Sequence, residues 1–415
     1  MRIAFFVDQF PSLSETFILN QITGLIDRGH EVDIYCDRTG NRTKMHPEVE
    51  QYQLLNHTYC TPIPRNPLWL WIKGIWLLIT NFLRAPQTVL KTLNYKRFNP
   101  EKYGEPGEFF KPLYLTLPCL ERSPYDIIHC HYGRNGLKAS LLKDLGVITG
   151  KIVVVFHGND ISRYLKIHGD DVYNYLFQRA DLLMPISQHW RDKLIALGCE
   201  PSKITVHHMG IDCNKFIPSI KTTKQTQPLI LSVARLVEKK GLAYGIEAVA
   251  QLIQQPTELK YSIVGDGVLR SQLESQIAAL QAREQIELLG WREQSELQQI
   301  IAQADILLAP SVTSSNGDSE GIPVSLMEAM AQEIPVVSTY HSGIGELVED
   351  GVAGHLVPER DTAALALKLQ HLLADSHLRQ QMGQAGRQRV LRDYNIDQLC
   401  DRLSEIYQQI LAPSN

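Results

Sequence analysis

No apolar run in this chain is long enough to cross a bilayer comfortably. The best candidate, Leu68 to Leu83, reads LWLWIKGIWLLITNFL. As a helix it would span about 24 Å, against roughly 30 Å of hydrocarbon, and Lys73 interrupts it. An excess of either charge is also missing. The net charge is −4, which gives no reason to expect a nucleic-acid partner. The seven cysteines (Cys36, Cys60, Cys119, Cys130, Cys199, Cys213, Cys400) include no CxxC pair and no zinc-like spacing. A dispersed, odd-numbered set in a large chain reads as reduced and cytoplasmic. No secretory leader is expected from MRIAFFVDQF, which runs directly into a strand-like stretch with an acid at Asp8.

What remains is a soluble composition, 44% hydrophobic and 21% charged over 415 residues, enough for two domains. Short apolar runs alternate with helical periodicity in both halves, the signature of parallel strands joined by crossovers. The first half predicts strands at Ile3–Val7, Val32–Tyr35, Asp126–His129, Ile152–Phe156, Leu182–Pro185 and Ile204–His207. Its helices fall at Thr16–Asp27, Gly136–Leu145 and His189–Leu197. The second half predicts strands at Leu229–Val233, Tyr261–Val264, Ile286–Leu289, Ile306–Ala309 and Pro335–Ser338. The fold class is α/β, with two doubly wound Rossmann-like domains facing a cleft at the carboxyl ends of their strands. The boundaries are 1–212 for the first domain, a polar linker at 213–227, 228–395 for the second, and a last helix at 396–415 that can return to the first.

Residues 50–118 interrupt the first domain as an insertion. Three of the five tryptophans (Trp69, Trp71, Trp76) lie there. Between 61 and 115, Arg65, Lys73, Arg84, Lys91, Lys96, Arg97, Lys102 and Lys111 face only Glu101, Glu105 and Glu108, a local charge of +5. Trp-rich apolar sequence beside basic residues suits an anionic membrane surface. It equally suits a helix packed on the domain core, and the two readings stand together.

The strongest chemical constellation is Glu320-Gly-Ile-Pro-Val-Ser-Leu-Met-Glu328. It follows a predicted strand and a Ser/Thr/Gly/Asn-rich loop. Pro323 suits the first turn of a helix, and the helix start with its unbonded N–H groups suits a phosphate. Glu328, one turn on, can accept two hydroxyl hydrogen bonds from a ribose. Glu320 lies in the preceding loop. Taken singly, either acid reads as well as a helix-terminus or solvated carboxylate. In the first half, Phe156-His157-Gly158-Asn159-Asp160 places His157 at the carboxyl end of a strand, and Asp160 also suits an N-cap. His129 and His131 share one strand face. No further ligand is spaced to complete a metal site, so His131 is read as lining the cleft and His129 as structural.

The ordered set resembles the retaining GT-B glycosyltransferases of family 4. E-G-x-P followed by a second glutamate is similar to their E-x7-E motif. Ser232-Val-Ala-Arg-Leu-Val-Glu-Lys-Lys-Gly241 looks like their donor-side strand, Val264-Gly-Asp-Gly267 like the next strand end, and Ser342-Gly-Ile-Gly-Glu346 with Asp350-Gly351 and Gly354 like the turn and helix after the motif. Pro11-Ser-Leu-Ser-Glu-Thr-Phe17 is similar to the subgroup that assembles bacterial exopolysaccharides of the colanic-acid type, and lacks the Gly-Gly of many members.

The resemblance implies a hexosyltransferase. Arg235 and Lys240 would neutralise the donor diphosphate, and Glu328 would hold the ribose. Glu320, with the backbone of Gly321, Ile322, Pro323 and Val324, would contact sugar and phosphates, and Gly265 and Gly267 would be donor-binding as well. His157 would sit beside the donor sugar, making His157, Glu320, Arg235 and Lys240 the catalytic set. Ser14, Glu15, His131, Asn159 and Asp160 are acceptor-side candidates. The donor would be a nucleotide-diphosphate sugar, with UDP-galactose, UDP-glucose and GDP-mannose all fitting, and no cofactor or metal is implied. The acceptor would be a saccharide or a polyprenyl-linked saccharide. Peripheral contact through 68–83 would put the chain on the inner face of the plasma membrane. Two rival readings are a sugar-nucleotide epimerase of the same architecture and a non-catalytic sugar-nucleotide-binding subunit.

Overall fold

The structure is a computed structural model and describes every residue except 65, 121, 123, 220–226, 255–257 and 413–415. Part of the expected linker, 220–226, and one of the basic residues noted above, Arg65, therefore lie outside the described residues. The chain divides into two compact units. Met1–Ile186, Trp190–His207 and Cys400–Asn415 form the first, and Ser187–His189 with His208–Leu399 form the second.

The first unit is built on β1 (Arg2–Phe10), β2 (Glu31–Thr39), β3 (Thr58–Cys60), β4 (Ile127–His131), β5 (Lys151–Phe156) and β6 (Leu182–Pro185). They form a parallel sheet in the order β3-β2-β1-β4-β5-β6. The central strands carry almost unbroken apolar runs because both faces are covered: β4 is buried throughout and β5 along all but its first residue. The second unit repeats the plan with β7 (Leu229–Val233), β8 (Lys260–Val264), β9 (Ile286–Gly290), β10 (Ile306–Ala309), β11 (Val336–Thr339) and β12 (Gly354–Val357), ordered β12-β11-β10-β7-β8-β9 and parallel. Each order reverses direction once, between β1 and β4 in the first sheet and between β7 and β10 in the second. Open sheets of this kind leave a crevice beyond the strand carboxyl ends at such a reversal. Among the described residues, no helix is long and apolar enough to cross a membrane.

Three expectations change, and the insertion, which its pattern left unplaced, takes form. Ile204–His207 is not a strand. Ile204 makes a single bridge to Leu183, and Thr205 and His207 donate to the carbonyls of Leu183 and Pro185, so the segment follows β6 without completing a ladder. The insertion is helical apart from β3, whose three half-buried residues carry too little apolar pattern to be read. Pro323 stands just outside its helix, Val324–Ala331, in the N-cap position with extended backbone, rather than within the first turn. The cysteines are not all free thiols. Cys36 and Cys60 face each other across the β2–β3 register, with Cα atoms 4.7 Å apart, and form a disulfide. Strand pairing brings them together from 24 residues apart, which spacing alone does not reveal. Cys119, Cys130, Cys199, Cys213 and Cys400 are buried and stand outside any disulfide.

The helix Ile396–Leu411 ties to the first unit from Cys400 onward. Arg28 reaches Asp401 at 2.7 Å, His30 bonds Ser404 at 3.0 Å, and the buried Tyr407 hydroxyl bonds His129 Nδ1 at 2.6 Å.

Candidate functional site

In the second unit the chemistry collects at the β7/β10 reversal. After β7 the chain makes a short turn through Arg235 and a tight 3-10 turn at Glu238–Lys240, then enters the helix Leu242–Ile253. After β10 it runs through a polar loop to Glu320. The two loops are stitched together. Val312 N donates to the Lys239 carbonyl at 2.9 Å, and Ser315 N and Oγ donate to the Glu238 carboxylate at 2.7 and 2.8 Å. Across this seam Lys240 Nζ lies 2.7 Å from Glu320 Oε2. Lys239 Nζ lies 3.2 Å from both Glu320 Oε1 and Asp318 Oδ1. Lys239 and Glu320 are buried.

Burial alone would raise the Glu320 pKa, but the two ammonium groups outweigh it and hold the carboxyl at about 2. Lys239 meets Oε1 as an ion pair, and among the described residues Oε1 has no partner of full hydrogen-bond geometry. Lys240 spends one of its three N–H donors on Glu320. Arg235 is exposed in the β7 turn and stands outside this ion-pair network.

Glu320 is held from behind as well. Its backbone N–H donates to His341 Nε2 at 2.9 Å, so the His341 proton sits on Nδ1, which faces Glu359 Oε1 at 2.5 Å. Glu359 also accepts from Thr313 N and Oγ1, at 2.9 and 3.1 Å. Burial opposes ionisation of Glu359, but these donors bring its pKa below the usual range. Ser342 Oγ donates to the carbonyls of Glu320 and Gly321 at 2.8 and 2.9 Å. Gly321, Ile322 and Pro323 then lead into the helix Val324–Ala331, whose start carries no side-chain cap. Glu328, the fifth residue of that helix, is buried, and among the described residues its one charge-stabilising contact is Gln294 Nε2 at 3.3 Å. Burial lifts its carboxyl to about 7. A buried carboxylate without a cation lacks its usual compensation and is ready to accept hydroxyl donors.

Gly265 and Gly267 lie under the Arg235 turn. Gly265 has φ of +137°, and a Cβ there would stand 1.9 Å from the Ala234 carbonyl; at Gly267 it would stand 2.5 Å from that of Leu236. Their visible task is to let the β8 end pass beneath the β7 loop, where Leu236 N donates to Asp266 O at 3.0 Å.

In the first unit the corresponding reversal, β1/β4, is spanned by Glu15 and Tyr132. The Tyr132 hydroxyl donates to Glu15 Oε1 at 2.6 Å, and burial raises the Glu15 pKa in spite of that bond. His157 directly follows β5, with its Nε2 2.9 Å from His131 Nδ1. Burial pushes His157 down to about 3, so its ring is neutral at physiological pH. His131, read as lining a cleft, has no exposed surface. It lies inward of His157 because alternation turns it, like His129, into the covered face of β4. Asp160 is buried and caps no helix of its own segment. Its Oδ1 accepts from the N–H groups of His157 and Gly158 at 3.0 and 3.1 Å, and its Oδ2 accepts from Gly133 N at 2.9 Å. Burial raises it to about 6, and those backbone donors limit the rise. It therefore clasps the β5 loop to the start of the helix Gly133–Asp144. Ser14 and Asn159 are exposed.

Lys239, Asp318, His341, Glu359, Gln294 and Tyr132 are not among the residues to which the sequence points. Lys239 was half visible as one of a lysine doublet. His341 and Glu359 follow the carboxyl ends of β11 and β12, where the strand-end rule points once β12 is recognised.

Comparison with known proteins gives a consistent result. A family model described as glycosyl transferases group 1 matches residues 214–389, and one described as glycosyltransferase family 4 matches residues 14–215. A putative colanic acid biosynthesis glycosyltransferase of Salmonella typhimurium is 39% identical across 99% of this chain and 100% of its own length. An amylovoran biosynthesis glycosyltransferase of Erwinia amylovora is 42% identical across 90% of each. Among solved structures, a sucrose-phosphate synthase of Thermosynechococcus elongatus superposes with a TM-score of 0.73 at 18% identity, covering 100% of both chains. Anabaena HepE in complex with UDP-glucose gives 0.72 at 18% identity, covering 99% of this chain and 100% of that one. At such identity the superpositions speak for the GT-B fold.

Proposed function

This chain belongs to the family 4, group 1 glycosyltransferases, and we propose that it moves a hexose from a nucleoside-diphosphate sugar to a saccharide or polyprenyl-linked saccharide, with retention at the anomeric carbon, in exopolysaccharide assembly. The last element rests on the colanic acid and amylovoran enzymes, which are 39% and 42% identical to it.

The observation that carries the donor assignment is the Lys239–Lys240–Glu320 cluster across the β7/β10 reversal. Two ammonium groups are fixed there ahead of an uncapped helix start, an arrangement suited to a diphosphate. Lys240 has N–H donors to spare for a phosphate oxygen, and Arg235, exposed in the β7 turn, adds a further cation. Glu320 Oε1, fixed beside Lys239 and with room in its lone pairs for a further donor, suits a sugar hydroxyl. Glu328, buried and without a cation, suits the two hydroxyls of a ribose. His157, held neutral, offers a hydrogen bond to a sugar rather than a charge.

In the proposed step the bond from the anomeric carbon to the diphosphate oxygen breaks, and the diphosphate leaves with the electron pair. The acceptor oxygen bonds to that carbon from the same face. The acceptor proton passes to an oxygen of the leaving diphosphate. The protein supplies positive charge where negative charge develops. The Lys pair does this without a divalent ion, so turnover is proposed to survive EDTA.

The test is a panel of nucleoside-diphosphate hexoses incubated with purified protein, with and without a lipid-linked acceptor. Nucleotide release that depends on acceptor, and an unchanged anomeric configuration in the product by NMR, are the expected results. Release of nucleotide and free sugar without acceptor, or an inverted product, would overturn the assignment.

A further inference from the structure

The helix Pro67–Phe82 is folded with its apolar side outward. Its start is well made: Pro67 occupies the first turn, and the Asn66 side chain accepts from Leu68 N at 2.9 Å and Trp69 N at 3.4 Å. Its inner face is narrow. Gly74 and Leu77 are the buried residues, and Gly74 lets the helix settle on the Phe110 ring, which a Cβ there would approach to 3.1 Å. Phe110 and Leu77 belong to a small satellite core with Val89, Leu113 and Tyr114.

The outer face should be polar in a helix that packs on a core and meets water. Here Leu68, Ile72, Trp76, Ile79 and Leu83 follow at helical spacing and are all exposed, Ile79 by 70% and Leu83 by 92%. Trp69, 61% exposed, widens the stripe at one end. Contiguous apolar surface of this kind marks an interaction face.

The charges beside it indicate the partner. From Asn66 to Arg97 there is no Asp or Glu, while Lys73, Arg84, Lys91, Lys96 and Arg97 supply five cations in a chain of net charge −4. Lys96 and Arg97 are exposed. Pairing with a second copy would bring two sets of cations together. An anionic lipid surface satisfies both the apolar stripe and the cations, and tryptophan is suited to its interfacial zone.

We propose that the helix Pro67–Phe82 docks this chain on an anionic lipid surface. The stripe from Leu68 to Leu83 enters the headgroup boundary, and the neighbouring lysines and arginines meet the lipid phosphates. This inference is independent of the donor-site reading, because it needs no substrate.

Flotation of the purified full chain with phosphatidylcholine vesicles, with and without phosphatidylglycerol, tests it. The wild-type chain should float with the phosphatidylglycerol vesicles, less so as salt rises, with a blue shift of tryptophan emission. Trp76→Glu and Ile79→Glu should each weaken partitioning by at least about tenfold. Lys96→Gln and Arg97→Gln, at exposed positions outside the helix, should each cost about fivefold on the anionic vesicles and keep the wild-type unfolding midpoint. Failure of the wild-type chain to float overturns the proposal, as does unchanged partitioning of the Glu and Gln variants. So does a wild-type dimer, seen by sedimentation, that dissociates in Ile79→Glu while neither protein floats. Capture of an acidic protein through this face with no affinity for phosphatidylglycerol overturns it as well.

Discussion

Lys240 and Glu320 stand 80 residues apart in the chain and meet at 2.7 Å, across the one reversal of strand order in the second sheet. The contact links the loop that ends β7 to the loop that ends β10, and it sets the charge of the proposed diphosphate cradle. Replacing Lys240 with Ala should lower kcat by about 10²-fold or more, the usual cost of a lost oxyanion-stabilising donor, with a smaller change in the donor KM. Steady-state kinetics of nucleotide release measure this. A variant with wild-type kcat would remove Lys240 from the leaving-group role.

Much of this arrangement is readable in the sequence, and what is not has physical causes. Leu182–Pro185, Leu229–Val233 and Ile306–Ala309 are strands with the residues the apolar runs predict, because strands covered on both faces need unbroken apolar stretches. Thr58–Cys60 is an edge strand of three half-buried residues and leaves no such run. The E-x7-E segment identifies Glu320 and Glu328 without any structure. It does not say that Glu320 is clamped by two lysines while Glu328 meets no cation among the described residues. That difference depends on the 3-10 turn at Glu238–Lys240, which turns Lys239 inward, a tertiary fact invisible in a lysine doublet. His341 and Glu359 escape notice because their bond to each other and to the Glu320 loop joins separate strand ends.

The same cluster makes a prediction about acid stability. The Glu320 pKa is about 2 in the folded chain against 4.5 for a free glutamate. Its contribution is complete above about pH 4.5 and is lost as pH falls toward 2, a total on the order of 3 kcal/mol. Lys239→Met removes a cation shared by Glu320 and Asp318. It should destabilise the protein by about 3 kcal/mol at neutral pH and raise the pH of acid unfolding. Urea titrations at pH 7 and pH 4 read both effects. Equal acid-unfolding midpoints in variant and wild type would contradict the pairing.

Gly265 tests whether the β8 turn acts through packing. Alanine there would carry a Cβ into the Ala234 carbonyl at a φ of +137° that L-residues rarely adopt. The expected loss is about 2–4 kcal/mol of stability, with Arg235 displaced. Gly351→Ala meets nothing within 4 Å, though its φ is also positive, and should cost about 1 kcal/mol. Thermal unfolding of the two variants should separate them, and equal midpoints would show that the turn tolerates a side chain.

His157 is expected to stay neutral across the working range. Burial holds it near 3, and its Nε2 meets His131 Nδ1 at 2.9 Å. Its ring resonances should therefore not titrate between about pH 5 and 8, where an exposed histidine would. His131→Phe removes the bonding partner and should scramble the His157 tautomer seen by 15N NMR. If His157 titrates near the ordinary value in the wild-type protein, its neutral role is wrong.

Glu328 gives the pH dependence of donor binding its direction. Burial raises its carboxyl to about 7, so near neutrality a large fraction carries a proton. A ribose diol donates two hydrogen bonds best to the ionised form, and binding must therefore release that proton. Nucleotide affinity should rise with pH through about 7 and level off above it, by up to about tenfold per pH unit below that value. Glu328→Gln should bind nucleotide more weakly at high pH and lose the slope. The folded state favours the protonated form, so the effect on stability has the opposite sign. Stability should decline as pH rises from about 4.5 through 7 on account of this group, and the variant should flatten the decline. Calorimetric nucleotide binding in two buffers of different ionisation heat counts the proton directly. Zero proton release near pH 7 in the wild-type protein would mean that Glu328 does not meet the ribose as a carboxylate.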